Sequence, residues 1–408
     1  MSRIAIVDLL FNWPPDGGAR TDVKEIASRL SKEHEVCIFV PGFTKGFPRG
    51  QVRSSLSLDI KRIKFNTFGF NFVNLPLKFR KEIDKFKPDH VFIADAWYLK
   101  PHLVNALLDY KPYLRFYAYE TICLRGHGVF YKNEEICSKN YLVSSLKDIF
   151  GCLRCSLGWL KFIRDKKFIH EFAMAGAFMP FYRDLVVKAI KNSKGIIVYN
   201  QFIKDKICSL NNNIFIVPSG VDKKLFQPNG HIQIKPYPKK KTNILMAGRV
   251  EDRLKGVIFL LKACNILRNK GYDLEVLLTS DNTKIKENYI TYLGWLSQER
   301  LAKVYNEVDI CVVPSLWPEP FGIVALEAMS SAKPVIVTDV GGLKSIVSDG
   351  IDGFVVETNN IDMLADRLAK LINDADLRKE MGLLGRKKVE ENFDWDIVYD
   401  KYYRSLFK

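Results

Sequence analysis

The sequence predicts an α/β protein built on parallel, helix-covered sheets, and three observations carry that expectation. Short apolar runs alternate with helical patterns along the chain, as they do where strands are joined by crossover helices. The stretch from Val312 to Val356 shows one whole unit: an apolar run ending at Pro314, turn residues from Ser315 to Pro320, a helical pattern from about Phe321 to Ser331, and a second strand at Pro334 to Thr338. Finally, 408 residues exceed one typical core, so two or three domains are expected.

In chain order, Ile4 to Val7 reads as a buried strand, and Trp13 to Gly18 as a loop before a helix that carries Val23 to Leu30. The Gly17-Gly18 pair lets backbone approach a ligand or fold back sharply. Glu35 to Val40, Asp89 to Ala94, Leu114 to Glu120, Ile196 to Val198 and Ile214 to Val217 are further strands of the first half. The basic, proline-bearing stretch Gln227 to Lys241 is a natural linker. A second series begins at Asn243 to Ala247, ends in Gly248-Arg249, and is followed by Lys255-Gly256 at a helix start. Glu275 to Leu278 continues it, and Met363 to Leu371 and Leu377 to Glu391 are amphipathic helices.

Hydrophobic content of 47% with 26% charged residues is that of a globular enzyme, whereas a net charge of +16 favours anionic partners. Those are a nucleotide diphosphate, a phosphorylated lipid or an anionic membrane face; no nucleic-acid module is present, so nucleic acid is set aside. No apolar run is long enough to span a bilayer, and the amino terminus reads as a strand rather than a signal peptide, so a cytoplasmic protein is expected. The apolar run Phe172 to Tyr182, broken by Pro180, is flanked by Lys161, Arg164, Lys166, Lys167, Arg183, Lys188, Lys191 and Lys194. It reads as a core helix with a solvated face, or as a contact for the inner face of a membrane.

Chemistry concentrates around two glutamates eight positions apart, Glu319 and Glu327. The amides around Phe321, Gly322 and Ile323 would be the donors of a helix start, with the positive end of the helix dipole behind them, which suits a phosphate. Ionised carboxylates beside them suit sugar hydroxyls. A different cluster, Cys123, Cys137, Cys152 and Cys155, falls within 33 positions and ends in a C-x-x-C. Reduced loop cysteines are the favoured reading, with no metal; a tetrahedral zinc or a redox pair are the alternatives.

The whole Val312–Val356 stretch resembles the donor-site signature of retaining glycosyltransferases of family 4, whose two Rossmann-like domains face each other across a cleft (the GT-B fold). The likeness rests on Glu319-Pro320-Phe321-Gly322, Glu327-Ala328-Met329, Pro334-Val335, Gly341-Gly342 and Gly353. Ala332 stands where the family usually has Gly, and Ser345 where a Glu often follows the glycine pair. The resemblance implies an acceptor domain over 1–226 with a cysteine-bearing insertion at about 121–160, a linker at 227–241, a nucleotide-sugar domain over 242–390, and a closing helix over 391–408 that returns to the first domain.

It also implies roles. Arg249 and Lys255 would hold the diphosphate and Glu319 the sugar as the catalytic set; Gly248, Phe321, Gly322, Ile323 and Glu327 would bind the nucleotide, and Gly17 and Gly18 would lie beside donor phosphates and acceptor. The acceptor-side His common in the family is replaced by Tyr119-Glu120, with His127 just beyond. The implied activity is transfer from a nucleotide-diphosphate sugar, with no further cofactor, to a glycan or lipid-linked hydroxyl acceptor in cell-surface polysaccharide or glycolipid synthesis. A sugar phosphorylase on the same fold and a non-catalytic glycosyltransferase-like subunit are the alternatives. Donor base, sugar and acceptor are not legible.

Overall fold

The structure, a computed structural model, describes the chain except residues 16, 44–46, 48, 54–55, 126–135, 144, 161–165, 229–240, 282–284 and 286. The side chains of 146–147, 159–160 and 166–168 also lie outside the described set. Among the sequence-stretch expectations, His127, Lys161, Arg164 and most of the 227–241 linker therefore lie outside the described residues. The chain forms two compact units, one of Met1–Pro218 with Tyr399–Lys408 and one of Ser219–Val398.

The first unit is a seven-stranded parallel sheet in the order β3-β2-β1-β4-β5-β6-β7. Its strands are β1 Arg3–Val7, β2 Glu35–Phe43, β3 Asp59–Phe65, β4 His90–Ile93, β5 Tyr113–Arg115, β6 Gly195–Val198 and β7 Ile214–Ile216. Its helices are α1 Gly18–Leu30, α2 Asn74–Phe86, α3 Lys100–Ala106, α4 Leu146–Leu160, α5 Lys166–Met174, α6 Phe181–Asn192 and α7 Gln201–Ile207. Ile4, Ala5, Ile6 and Val7 are fully buried, as a central strand covered on both faces must be. Phe407, near the carboxyl end of the chain, packs edge-on against Phe92 and Tyr113 of this sheet.

The second unit is a six-stranded parallel sheet in the order β10-β9-β8-β11-β12-β13. Its strands are β8 Thr242–Met246, β9 Leu274–Leu278, β10 Ile290–Tyr292, β11 Ile310–Val313, β12 Val335–Thr338 and β13 Phe354–Val356. Its helices are α8 Val257–Asn269, α9 Gln298–Glu307, α10 Ile323–Ser330, α11 Leu343–Ile346, α12 Ile361–Asn373 and α13 Ala375–Asn392. One apolar core runs through α8, the sheet and α12, with Leu260, Val276, Ile310, Ile336, Leu364 and Leu368 among its fully buried members. Each sheet reverses its order beside its first strand, at β1/β4 and β8/β11, which in open α/β sheets is where ligands bind.

Two local expectations need correction. The strand expected over Leu114 to Glu120 ends at Arg115, because the Glu120 carboxylate accepts hydrogen bonds from the amides of Tyr117 (3.1 Å) and Ala118 (2.8 Å) and folds that segment into a turn. The run Phe172 to Tyr182 is not one helix: α5 stops at Met174 and α6 starts after Pro180.

Candidate functional site

The site in the second unit is assembled where the loops after β8 and β11 meet. Parallel pairing sets Ile310 beside Ile244 and Cys311 beside Leu245, so the two strands deliver their loops to the same edge. The loops are then locked together by backbone. Gly256 adopts φ +82°, and a Cβ there would sit 1.9 Å from the carbonyl oxygen of Pro314. The amide of Leu316 donates to the carbonyl of Leu254 at 2.8 Å. Asp252 caps the short 3-10 turn Arg253–Lys255 by accepting from the amide of Leu254 at 3.0 Å, which fixes where Lys255 emerges.

Lys255 and Glu319 meet directly. The Lys255 Nζ donates to Glu319 Oε1 at 2.5 Å, with side chains only 17% and 12% exposed. The ammonium also lies 5.3 Å from the centre of the Trp317 ring. The second carboxylate oxygen of Glu319, Oε2, is buried and has no hydrogen-bond partner among the described residues. A buried acceptor left open costs on the order of 1–3 kcal/mol, so this oxygen has capacity for one more donor.

The start of α10 faces the same loops. Gly322 precedes it at φ +113°, a conformation that favours glycine, and a Cβ there would lie 2.4 Å from Leu343 Cδ2. Gly248, also left-handed at φ +108°, has Val324 Cγ2 3.8 Å from its Cβ position, which puts the β8 loop against the first turn of α10. Thr279 Oγ1 accepts from the Gly248 amide at 2.8 Å and holds that loop. The Glu319-Pro320-Phe321 turn is backed by the glycine pair: Gly342 N donates to Glu319 O at 2.7 Å, and a Cβ on Gly341 would lie 2.1 Å from that same oxygen. Arg249 lies exposed in the β8 loop, with no ion pair to Glu319 among the described residues.

Glu327 is buried inside α10, and the Tyr305 hydroxyl of α9 donates to its Oε2 at 3.1 Å. Burial pushes its carboxyl up to about 7, against the opposing pull of the Tyr305 hydrogen bond. Tyr305, Trp317 and Thr279 escape sequence reasoning because an isolated aromatic or Thr carries no spacing signal.

The first unit holds a second set of charges at its own switch point. Arg20 of α1 donates to Asp95 Oδ2 at 2.8 Å and pairs with Asp8 Oδ2 at 3.3 Å, with Asp8 just after β1 and Asp95 just after β4. Burial raises Asp8 to about 7, Arg20 opposing and Asp95 adding to the rise; Asp95 falls below the usual range because Arg20 and Lys100 outweigh its burial. The carboxylates directly after strands β1 and β4 are the signal that could have found this cluster. Glu120, at the position lacking the His, pairs with Lys100 Nζ at 2.8 Å and is 1% exposed, so it is committed to the turn. Gly17 caps α1 in extended backbone with nothing within 4 Å of its Cβ position, and Gly18 begins the helix. Among the described residues no three or more His, Cys, Asp or Glu stand ready-made around a metal position, and no helix is long and apolar enough to cross a membrane.

Comparison with known proteins adds findings of three kinds: a family match, relatives and solved structures. Residues 230–388 match the family described as Glycosyl transferases group 1. An uncharacterized glycosyltransferase of Methanocaldococcus jannaschii is 32% identical over 216 residues, 51% of this chain and 58% of that protein. The capsular polysaccharide biosynthesis glycosyltransferase CapM of Staphylococcus aureus is 30% identical over 50% of this chain and 59% of its own length. The phosphatidyl-myo-inositol mannosyltransferase of Mycolicibacterium smegmatis is 26% identical over 47% of this chain and 50% of its own. The chain thus spans about half the length of the curated relatives it matches. A sucrose-phosphate synthase from Thermosynechococcus elongatus superposes over 100% of this chain and 99% of its own, with a TM-score of 0.70 at 18% identity. Anabaena HepE, solved with UDP and glucose, does so over the same shares with a TM-score of 0.66 at 14% identity. Residues 230–388 thus resemble a glycosyl transferases group 1 domain, within a chain that has the two-Rossmann-domain GT-B fold.

Proposed function

We propose that this protein is a retaining glycosyltransferase that moves a sugar from a nucleotide-diphosphate sugar to a hydroxyl acceptor in glycan or glycolipid synthesis. The observation that carries the reading is the Lys255–Glu319 pair with its open, buried carboxylate oxygen beside the first turn of α10. As the glycosidic bond breaks, the leaving nucleoside diphosphate gains negative charge. Lys255 and the amides of Phe321, Gly322 and Ile323 supply fixed positive charge for it, and Arg249 adds a guanidinium fork from the same loop as Lys255. Glu319 accepts from sugar hydroxyls and orients the anomeric carbon, while Glu327 takes ribose hydroxyls. The acceptor attacks from the face the diphosphate leaves, so no protein nucleophile is called for. Support for the donor class comes from HepE, solved in complex with UDP-glucose, and support for a glycan or lipid acceptor from relatives named for capsular polysaccharide and phosphatidylinositol chemistry.

A lipid-linked acceptor brings the enzyme to a membrane face. Phe68, Phe72, Val73 and Leu77 are exposed before and along α2, and Phe72 N donates to Met174 O at 2.9 Å, so they adjoin the end of α5. Phe178 and Phe181 are exposed just beyond it, and Lys78 and Lys81 are exposed on α2. We infer that this apolar and basic patch makes a peripheral contact with anionic lipid.

A thermal-shift screen against UDP, GDP, ADP and their sugars tests the donor class. A ligand at about 100 times its Kd adds about 2.7 kcal/mol to the folded state, a readable shift. In the transfer assay Arg249→Ala, Lys255→Ala and Glu319→Ala each lose most activity while remaining folded. Wild-type turnover from folded Arg249→Ala protein, or no stabilisation by any nucleotide, would overturn the proposal.

A further inference from the structure

We propose that Cys123, Cys137, Cys152 and Cys155 bind one zinc ion as a tetrahedral tetrathiolate that ties together the segment between β5 and α5. Four of the eight cysteines, drawn from three separate pieces of chain, line a single pocket. Cys123 belongs to the turn after β5, Cys137 to the extended piece after Ile136, and Cys152 and Cys155 to α4, where a spacing of three puts them on one helix face. The remaining cysteines show no such gathering: Cys37, Cys264 and Cys311 are buried in the sheets or α8, and Cys208 is exposed on the surface. All eight thiols are free.

The surroundings suit a thiolate cluster. A zinc held by four thiolates carries a net charge of −2, so it needs N–H donors and cations around the sulfurs. Here the backbone amide of Arg125 donates to the Cys123 sulfur, two residues along, in the manner of a metal-binding knuckle. The Arg125 guanidinium lies 3.9 Å from Cys155 Sγ, and Lys139 and Lys206 complete a positive lining of the pocket. Hydrogen bonds already hold parts of the segment, as where Tyr98 donates to Leu124 O at 2.6 Å and Asn140 to Lys206 O at 2.7 Å. Lys139 pairs with Asp148 at 2.9 Å, while α4 leaves Phe150 and Leu157 66% and 50% exposed, so apolar burial secures only part of that helix. The thiols line one pocket without a closed ligand shell, so metal capture draws the turn at Cys123 and the piece at Cys137 toward α4. The step balances as four thiols and one zinc ion giving the tetrathiolate and four protons released to solvent.

The experiment uses the full chain, purified without chelator under reducing conditions. Elemental analysis should find about one zinc per chain. After removal of zinc, titration with cobalt(II) alone should give the intense visible bands of tetrahedral cobalt and the near-ultraviolet thiolate charge-transfer band, saturating at one equivalent. Cys155→Ser should lose stoichiometric metal, Cys155→His should keep it with a shifted cobalt spectrum, and Cys208→Ser should match the wild type. Because serine variants can fail to fold, the wild-type cobalt spectrum and the histidine variant decide independently. Metal-free protein as isolated, weak octahedral cobalt bands, or a disulfide among these cysteines in freshly reduced protein would each overturn the assignment. None of these readouts depends on glycosyl transfer, so this claim and the proposed activity fail separately.

Discussion

Glu327 shows how far one side chain can be set by what surrounds it. Its carboxyl ordinarily titrates near 4.5 and is raised to about 7 by burial in α10. A raised folded-state value means that the folded protein holds a proton which the unfolded chain has lost. The stability this confers is complete below 4.5 and is lost as pH rises through about 7, a swing on the order of 3 kcal/mol. Glu327→Gln should therefore gain melting temperature over the wild type as pH goes from 5 to 8; an advantage that does not change with pH would refute the burial account. On the proposed role of Glu327, nucleotide binding should follow the opposite trend, because ribose hydroxyls would donate to the ionised form. Affinity measured by calorimetry should rise from pH 6 to pH 8 in the wild type and stay flat in Glu327→Gln.

Ala332 makes a second prediction at the same scale. It stands at φ +54°, where L residues are strained, and a Cβ on Gly382 would lie 2.2 Å from its carbonyl oxygen, so the backbone has little room to relax. Ala332→Gly relieves a conformation worth roughly 1–2 kcal/mol but loosens the unfolded chain by about 0.4–1 kcal/mol. A net gain of about 0.5–1 kcal/mol in chemical denaturation is expected. A loss would show that the surrounding turn, and not this residue, stores the strain.

Among the elements, the β11–α10–β12 unit was the most legible. Its apolar runs, its turn residues and the glycine pair lie within one contiguous stretch, and the observed α10 falls inside the expected Phe321 to Ser331. Other elements were hidden. β3 reads DIKRIKF, too charged to stand out, because on this edge strand only Ile63 and Phe65 are buried. β10 is three residues long. The glycines of the site carry an element-level test. Gly341→Ala would force a Cβ to within 2.1 Å of the Glu319 backbone oxygen at a left-handed φ of +53°. Because backbone cannot move aside as a side-chain tip can, the turn bearing Glu319 must shift. We expect a loss of about 2–4 kcal/mol together with nucleotide stabilisation falling to near zero. Gly17→Ala, with extended backbone and open space at its Cβ, should cost nothing and gain up to about 0.4–1 kcal/mol by stiffening the unfolded chain.

For the whole molecule, the net charge of +16 and the exposed apolar residues on and near α2 make one joint prediction. The protein should cosediment with vesicles containing anionic lipid and not with neutral ones, and raised salt should weaken the binding as charges are screened. The double substitution Phe68→Ser with Leu77→Ser should reduce binding several-fold without changing the melting temperature, since both side chains are already exposed. Binding that ignores both lipid charge and salt would remove the membrane contact from the proposal.

By itself the sequence determined the alternation of strands and helices, the α/β class, and the loop-to-helix turn carrying Glu319 and Glu327, since each is encoded by residues within a few positions of one another. Only tertiary structure decided the rest. Lys255 reaches Glu319 across 64 positions because β8 and β11 are parallel neighbours, an adjacency that no periodicity records. Tyr305 finds Glu327 only because α9 packs beside α10. Arg20 joins Asp8 to Asp95 because β1 and β4 lie side by side. Local spacing fixes what each segment becomes, whereas strand order fixes which segments share an edge, and the site is made by that sharing.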